Sequence, residues 1–316
     1  MAKDTTMKAF VLTAFDAAPT VAEVDEPTPG PGEVRVRVAA ASVNGFDLSV
    51  AKGMLNGAME HRFPVVLGKD FAGTVDAVGD GVDDYAVGDR VFGVVTKDFL
   101  GDGSLAEFVT VPTSVGIAKL PSSVDFTEAA GLGLAGTAAL MAVDAANISD
   151  GATVLVVGAT GGVGQQAVQL AARAGARVIA TAASDAEIAK VTALGSSETV
   201  DYTADVVDQV RALAPGGVEV VLHFAGDPQA AIDAAAVGGV FVSTMLRGPD
   251  DVAAEDVRVE SIYAHPSPET LQRLARNQAE QHTTVSVQSV HPLDDAAAAF
   301  AEFGQGTLGK IVISLS

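Results

Sequence analysis

A run of small residues between positions 158 and 164 has the composition and spacing that point most directly to chemistry. It follows an apolar, β-branched segment over 153–157 and precedes a helix-like pattern over 163–174. Small residues let a backbone approach a ligand closely, and free amides at a helix start attract negative charge. A strand, a tight turn and a helix start in this order suit a dinucleotide pyrophosphate. We therefore expect cofactor contacts from Ala159, Thr160, Gly161, Gly162, Val163 and Gly164.

The bulk composition excludes several classes of protein. With 316 residues, 48 % hydrophobic and 19 % charged, the chain predicts one large or two ordinary globular domains. It contains no cysteine, which excludes disulfides, thiolate metal sites and thiol nucleophiles. A net charge of −21 opposes binding to nucleic acid or anionic lipid. No apolar run has the length of a membrane helix and the start lacks a signal-peptide core, so we expect a cytoplasmic protein.

The pattern of apolar residues changes twice along the chain. The first third predicts strands over 7–12, 33–38, 65–78 and 90–95. A helical segment over 125–147 is followed by alternating elements: strands over 153–157, 177–181, 218–224 and 240–244, and helices over 163–174, 185–194 and 229–236. Beyond residue 262 we predict helices over 267–280 and 293–303 and strands over 283–290 and 310–315.

These patterns predict an α/β protein of two domains with a cleft between them. Alternating strands and helices imply a doubly wound parallel sheet of the Rossmann type, assigned to residues 123–264. Residues 1–122 and 265–316 form the β-rich domain of this prediction.

Five segments, in order along the chain, resemble the zinc-independent quinone oxidoreductase branch of the medium-chain dehydrogenase/reductase superfamily. Residues 41–47 (ASVNGFD) resemble its Ser-x-Asn-x-x-Asp segment, and residues 64–75 (PVVLGKDFAGTV) resemble its Pro-x-x-x-Gly-x-Asp-x-x-Gly signature. The other three are residues 133–138, 158–164 and 308–312. The resemblance implies that the β-rich part is a GroES-like catalytic domain and that the other domain binds a nicotinamide cofactor.

The same resemblance argues against zinc. Zinc-dependent relatives place a cysteine at the position of Asn44 and a histidine at that of Lys69. An amide is a poor zinc ligand and an ammonium has no lone pair. The five histidines have no close metal-like spacing, so we expect no metal.

By resemblance, Asn44, Asp47, Lys69 and Thr137 are the candidate catalytic residues. Asn44 would hydrogen-bond a substrate oxygen or a ribose hydroxyl, although Asn-Gly is also a turn dipeptide. Asp47 is equally well explained as a helix cap. Lys69 could bind a carbonyl oxygen, but an ion pair with Asp70 or Asp47 is the favoured interpretation. Thr137 either touches the nicotinamide end or packs inside a helix.

The residues expected near the adenosine ribose favour NADPH over NADH. The segment 182–184 lacks the acidic residue that usually binds ribose hydroxyls in NAD sites, and Ser184 leaves room for a 2′-phosphate. Tyr202 matches a family tyrosine near that phosphate. Asp185 or Glu187 replaces a helpful lysine and would repel the phosphate if it faced it, so NADH remains an alternative. The resemblance also implies cofactor contacts from Phe224, Ala225, Ser243 and Lys310.

Two further residues, His223 and Arg247, have two interpretations each, and one segment bears on assembly. His223 lies near the carboxyl end of a predicted strand, where ligands of parallel sheets bind, but a neutral histidine packed at a strand end is favoured over a proton donor. Arg247 either reaches the cleft or is solvated. Residues 258–262 resemble an edge strand that could pair with its copy, so a homodimer is the expected assembly.

The function expected from these residues is NADPH-dependent, metal-free hydride transfer to a quinone or an α,β-unsaturated carbonyl of small-molecule size. Without a metal as Lewis acid, the acceptor has to be electron-poor already. Two alternatives remain: a zinc-independent ketone or aldehyde reductase, with Lys69 or His223 as proton donor, and a non-catalytic NADPH-binding sensor.

Overall fold

A computed structural model describes residues 5–315, and within them the chain forms eighteen strands and nine α-helices. The strands are β1 (Thr6–Leu12), β2 (Thr20–Asp25), β3 (Glu33–Ser42), β4 (Glu60–His61), β5 (Val65–Val66), β6 (Asp70–Val78), β7 (Arg90–Val94), β8 (Phe99–Leu100), β9 (Phe108–Pro112), β10 (Ile117–Lys119), β11 (Thr153–Val157), β12 (Arg177–Thr181), β13 (Glu198–Val200), β14 (Val218–His223), β15 (Ala235–Ser243), β16 (Arg258–Ser261), β17 (Val287–Pro292) and β18 (Lys310–Ser314). The helices are α1 (Gly45–Ala51), α2 (Phe126–Ala130), α3 (Gly133–Ala146), α4 (Gly162–Arg173), α5 (Asp185–Ala193), α6 (Val206–Leu213), α7 (Pro228–Ile232), α8 (Pro268–Ala279) and α9 (Ala296–Phe303).

The described chain divides into two compact units. The first unit comprises residues 5–134, 266–280 and 285–315, and the second unit comprises residues 135–265 and 281–284. The chain thus passes into the second unit after Leu134 and leaves it after His265. The sequence predicted these limits at residues 122 and 264.

A seven-stranded sheet is the main element of the first unit. Its strands follow the order β10-β7-β6-β3-β18-β17, and β9 also pairs with β3. Along β3 the side chains of Val34, Val36 and Val38 are buried while Arg35 and Arg37 lie between them, which is the alternation of a half-buried strand. The remaining strands form a three-stranded sheet, β2-β1-β5, and the short pair β4-β8, as expected for a β-rich domain.

A six-stranded parallel sheet forms the second unit. Its order is β13-β12-β11-β14-β15-β16, and every pairing in it is parallel. The chain runs outward from β11 on one side and from β14 on the other, so the switch point lies between these two neighbours. Ligands of doubly wound sheets bind beyond the carboxyl ends of the strands at such a point. The predicted α/β class with a Rossmann-type sheet is therefore confirmed.

Two predicted elements are each divided by a glycine. The helix expected over 125–147 is two helices, since α2 ends at Ala130 with Gly131 as its C-cap residue and α3 begins at Gly133. The strand expected over 65–78 stops after Val66 and resumes at Asp70. Gly68 lies between them with a φ of +103°, a left-handed conformation that interrupts an extended strand.

Two other predicted boundaries are wrong. The helix expected over 229–236 ends at Ile232, and Ala235 already pairs with Val218 as the first residue of β15. The strand expected over 283–290 is β17, which begins at Val287, and residues 281–284 belong to the second unit.

Several short elements were not predicted, among them α1, α6 and β9. Helix α6 did carry a signal, since Asp205 caps it by accepting a hydrogen bond from the Asp208 amide at 2.9 Å.

Strand β16 lies at the edge of the parallel sheet and pairs with β15, as predicted for this segment. The homodimer itself stays a prediction. Among residues 5–315, no helix combines the length and the apolar character needed to cross a membrane.

Candidate active site

The turn between β11 and α4 has the close backbone packing that its small residues predicted. Gly158 adopts a φ of +79°, which favours glycine. A Cβ on Gly164 would lie 2.1 Å from the Gly158 carbonyl oxygen, so only glycine lets the helix approach the strand here. A Cβ on Gly161 would lie 3.6 Å from its nearest neighbour, the same carbonyl oxygen, so the start of the helix is open to an incoming group.

The first amides of α4 are free to bind an anion. Within the described chain, the N–H groups of Gly162, Val163 and Gly164 have no hydrogen-bond partner, whereas the Gln165 amide already donates to the Gly161 carbonyl at 2.9 Å. Such amides, at the positive end of a twelve-residue helix, are suited to a pyrophosphate. The residues present therefore fit a dinucleotide, with Ala159 and Thr160 in the turn just before them.

The tip of β12 lies beside this turn. The Thr181 hydroxyl oxygen accepts a hydrogen bond from the Gly158 amide at 3.0 Å, which joins the last residue of β12 to the first residue of the turn. The neighbouring strands β11 and β12 bring the segment 182–184 to the same edge of the sheet.

Both residues predicted to face a 2′-phosphate contact a carboxylate. One Glu187 oxygen, Oε2, accepts from the Ala183 and Ser184 amides, each at 2.8 Å. The other, Oε1, accepts from the Tyr202 hydroxyl at 2.9 Å. Burial opposes ionisation of Glu187, but the Ser184 and Ala183 amides and the Tyr202 hydroxyl outweigh it, so the pKa of this carboxyl is lowered.

The carboxyl ends of β14 and β15 bring His223 next to Ser243. His223 Nδ1 lies 2.9 Å from the Ser243 hydroxyl, and the fully buried imidazole stacks on Phe241 with ring centroids 5.4 Å apart. Burial lowers the pKa of His223, which favours the neutral ring. This is the packed histidine favoured from the sequence. Phe224 and Ala225 follow directly, and the Phe224 amide donates to the Val157 carbonyl at 3.0 Å.

Two more predicted residues of the second unit differ in burial. The side chain of Arg247 is 92 % exposed, which agrees with the solvated alternative. Thr137 in α3 is fully buried, and its hydroxyl has no hydrogen-bond partner among residues 5–315. An orphaned buried hydroxyl leaves a polar atom that a ligand could satisfy.

In the first unit, five polar residues form a group that we call the buried polar cluster: Ser42, Asn44, Asp47, Asp70 and Lys310. Each of them is at most 7 % exposed. Their charges comprise two carboxyl groups and one ammonium, so the cluster is an ion network rather than a set of separate hydrogen bonds.

Asn44 stands at the centre of this cluster. Its Nδ2 donates to Asp70 Oδ2 at 2.9 Å, and its Oδ1 accepts from the Lys310 ammonium at 2.7 Å. Lys310 also donates to the Val43 carbonyl at 3.2 Å and lies 3.5 Å from Asp70. The predicted contact between Lys310 and the cofactor stays a prediction, because this ammonium is engaged inside the first unit.

Asp47 has the geometry of the helix-cap alternative. It is the third residue of α1, and its Oδ2 accepts from the backbone amide of Asn44 at 2.8 Å, just before the helix. Burial, assisted by the nearby Asp70 charge, raises the pKa of Asp47 to about 7 against the opposing effects of the Asn44 hydrogen bond and of the Lys310 and Lys69 charges.

Asp70 is the residue that organises the cluster, and the sequence suggested it only as an ion-pair partner. Its Oδ2 accepts from the Ser42 hydroxyl at 2.7 Å and its Oδ1 from the Leu134 amide at 2.7 Å. The ion pair favoured for Lys69 does not form within 4.0 Å in the described chain. Lys310, from the far end of the sequence, makes that pair instead.

Lys69 lies beside the cluster and is only partly buried. Its ammonium donates to the Val95 carbonyl at 2.6 Å and lies 4.9 Å from the centre of the Phe46 ring. Burial lowers the pKa of Lys69, and the carboxylates of Asp47 and Asp70 oppose that effect.

The donor set of this region does not fit zinc. Asn44 and Lys69 occupy the positions where zinc-dependent relatives have their cysteine and histidine. The Lys310 ammonium already lies against the Asn44 oxygen, so a second cation would be repelled. In the part of the chain that the structure describes, no group of three or more His, Cys, Asp or Glu side chains could hold a metal.

Two family models match the chain. The model described as "Alcohol dehydrogenase GroES-like domain" matches residues 30–122, and the one described as "Zinc-binding dehydrogenase" matches residues 162–263.

Individual proteins are similar over nearly the whole chain. The chloroplast envelope quinone oxidoreductase homolog of Arabidopsis thaliana is 32 % identical over 307 residues, which cover 92 % of each chain. A mycocerosic acid synthase-like polyketide synthase of Mycolicibacterium smegmatis is 35 % identical over 313 residues, 91 % of this chain, which spans only 14 % of that much longer protein. A crystal structure of an NAD-dependent alcohol dehydrogenase superposes with a TM-score of 0.87 at 31 % identity and covers 98 % of this chain and 100 % of its own.

Proposed function

Because this chain belongs to the quinone oxidoreductase-like branch of the medium-chain dehydrogenase/reductase superfamily, we propose that it transfers hydride from a reduced nicotinamide dinucleotide to a quinone or an α,β-unsaturated carbonyl without a metal ion. Membership of this family makes the chain an oxidoreductase. The acceptor class, the absence of metal and the roles of individual residues are the proposed part.

The turn from β11 to α4 is the observation that carries the proposal. Three unpartnered amides at the start of α4 supply hydrogen bonds to a pyrophosphate, and Gly164 lets the helix start lie close to the strand. A reduced nicotinamide dinucleotide bound at this turn supplies the hydride. Thr137, with its free buried hydroxyl, is the candidate contact for the nicotinamide end.

The buried polar cluster supports an acceptor that is already activated. With Asn44 and Lys69 where zinc-dependent relatives have metal ligands, the chain offers no Lewis acid to polarise a simple carbonyl. A quinone or an enone needs no such polarisation, because its conjugated carbonyls stabilise the charge that hydride addition creates.

Lys69 is the candidate group for the acceptor's oxygen. Its half-buried ammonium carries three hydrogens, and only the one donated to Val95 has a partner within hydrogen-bond distance in the described chain. Its lowered pKa favours release of a proton from Nζ to a developing oxyanion. Asn44 would first have to release Asp70 or Lys310, so we assign it to holding the cluster, and its direct contact with substrate stays a prediction.

Steady-state oxidation of NADH and NADPH with three acceptors tests the proposal: a quinone, an enone and a simple ketone. We expect turnover with the quinone or the enone, unchanged after treatment with a metal chelator. Turnover with the ketone alone would overturn the proposal in favour of a ketone or aldehyde reductase, for which Lys69 would be the proton donor. Tight cofactor binding without turnover of any acceptor would instead support a non-catalytic sensor.

A further inference from the structure

The carboxylate of Glu187 lies in the part of the second unit where this type of sheet distinguishes a free adenosine ribose from one that carries a 2′-phosphate. In sheets of this type the tip of the second strand, here β12, contacts the ribose hydroxyls or a 2′-phosphate. Glu187 lies in the first turn of α5, directly after that tip, and bridges the Ser184 amide to the Tyr202 hydroxyl.

The hydrogen bonds of Glu187 fix its carboxylate and leave room for one more donor. A carboxylate has about four lone-pair positions, two on each oxygen. Oε2 uses both, on the amides of Ala183 and Ser184, while Oε1 uses one, on the Tyr202 hydroxyl. The remaining position on Oε1 can accept a hydrogen bond from a ribose hydroxyl.

The surrounding charge opposes a phosphate. The segments 182–193 and 201–209 contain the acidic residues Asp185, Glu187, Asp201, Asp205 and Asp208 against a single cation, Lys190 in the last turn of α5. A phosphate monoester carries close to two negative charges at neutral pH and needs cationic partners. The Tyr202 hydroxyl and the Ser184 backbone amide could donate to such a group only by giving up their contacts with Glu187.

We propose that Glu187 makes this chain select NADH over NADPH, by accepting a hydrogen bond from the 2′-hydroxyl of the adenosine ribose and repelling a 2′-phosphate in the same position. The inference rests on the proposed function, since it assigns the cofactor of that site. It replaces the preference for NADPH that the sequence suggested, because the sequence did not reveal which way Glu187 faces.

Fluorescence titration of the whole protein with each reduced cofactor tests this without requiring turnover. The wild type should bind NADH at least about tenfold tighter than NADPH, which corresponds to ~1.4 kcal/mol of differential binding. Glu187→Gln keeps the size of the side chain, removes its charge and should reduce that ratio about tenfold. The matched control is Glu219→Gln, at the opposite end of the parallel sheet, where the carboxylate accepts from the Thr153 amide and the ratio should not change.

Competition by adenosine fragments tests the same inference in the wild-type protein, without any variant. Adenosine 5′-monophosphate should displace NADH more effectively than adenosine 2′,5′-bisphosphate. Glu187→Gln also weakens the cap of α5. Its thermal unfolding midpoint therefore separates a folding defect from a change in selectivity.

Tighter binding of NADPH by the wild type would overturn the inference, and so would an unchanged ratio in a folded Glu187→Gln variant. Either result leaves the proposed oxidoreductase function standing. A wild-type protein that binds neither NADH nor NADPH would contradict the proposed function itself.

Discussion

The turn between β11 and α4 and the buried polar cluster are both built from conformationally demanding or polar residues, but they differ in what completes them. At the turn, the amides of Gly162, Val163 and Gly164 lack partners in the described chain, so the hydrogen bonding is incomplete until an anion binds. In the cluster, both polar atoms of the Asn44 side chain have partners supplied by the protein.

The difference indicates how each region contributes to function. Free donors at a helix start cost little while they face solvent, and they become strong hydrogen bonds when a phosphate arrives. Buried charges need partners within the protein itself, because an unpaired charge away from water is costly. The turn is therefore read as a binding site, whereas the cluster is read as the framework that holds α1, β6 and β18 together.

Removal of the cluster's ammonium should have the largest effect. Lys310→Met leaves the carboxyl groups of Asp70 and Asp47 without their buried counter-ion, and the free energy of unfolding should fall by about 3–5 kcal/mol. The matched control is Lys8→Met, which breaks an exposed ion pair with Asp294 and should cost less than about 1 kcal/mol. Chemical denaturation measures both.

A second variant shows whether the loss at Lys310 is electrostatic. Adding Asp70→Asn to Lys310→Met should restore part of the lost stability, because the charge left behind is removed. A double variant as unstable as the sum of the two single ones would contradict a coupled ion network.

At the turn, the two central glycines should respond very differently to a methyl group. Gly164→Ala places a Cβ 2.1 Å from the Gly158 carbonyl oxygen and should cost about 3 kcal/mol of stability and abolish cofactor binding. Gly161→Ala meets its nearest atom at 3.6 Å, with a negative φ of −74°, and should cost no more than about 1 kcal/mol. Equal losses in the two variants, measured by denaturation and by cofactor titration, would show that close packing is not what requires Gly164.

Asp47 should give the cluster a pH dependence that the turn lacks. Its pKa of about 7 in the folded protein lies above its ordinary value of 3.8, so the folded state holds a proton between these values that the unfolded state has released. Stability contributed by this group is therefore complete at low pH and is lost as the pH rises towards 7.

Asp47→Asn isolates this contribution, because it removes the titration. Between about pH 5.5 and about pH 8.5, wild-type stability relative to the variant should fall by about 2 kcal/mol, at ~1.4 kcal/mol for each pH unit below the pKa. Denaturation of both proteins at the two pH values gives the difference. A relative stability that stays constant or rises with pH would show that Asp47 is ionised throughout this range.

Lys69→Met should have the smallest effect on stability and a specific one on activity. Its ammonium makes one hydrogen bond, to the Val95 carbonyl, so folding should change by about 1 kcal/mol or less. If the ammonium binds the acceptor's oxygen, kcat/KM should fall by roughly tenfold or more, with cofactor affinity unchanged. Loss of cofactor affinity with an unaltered rate at saturation would instead remove Lys69 from the acceptor site.

Local patterns in the sequence were sufficient for the turn and for every strand of the parallel sheet except β13, which was not predicted. Buried strands such as β11, the small residues from Gly158 to Gly164 and the start of α4 are contiguous, and their conformations follow from residue type. The alternation of Val and Arg along β3 predicted a half-buried strand for the same reason. Asn44 and Asp47 were also within reach, because they lie three residues apart around one helix start.

Tertiary structure decided what these residues touch. The partner of Asn44 and Asp70 is Lys310, more than 200 positions away, and it reaches them because β18 pairs with β3. The Ala183 and Ser184 amides hold one Glu187 oxygen locally, whereas its other oxygen is bound by Tyr202, which lies beyond β13. Sequence spacing determines local conformation through backbone sterics and capping, whereas the pairing of charges depends on which strands become neighbours, and strand neighbours are set by the packing of the whole sheet.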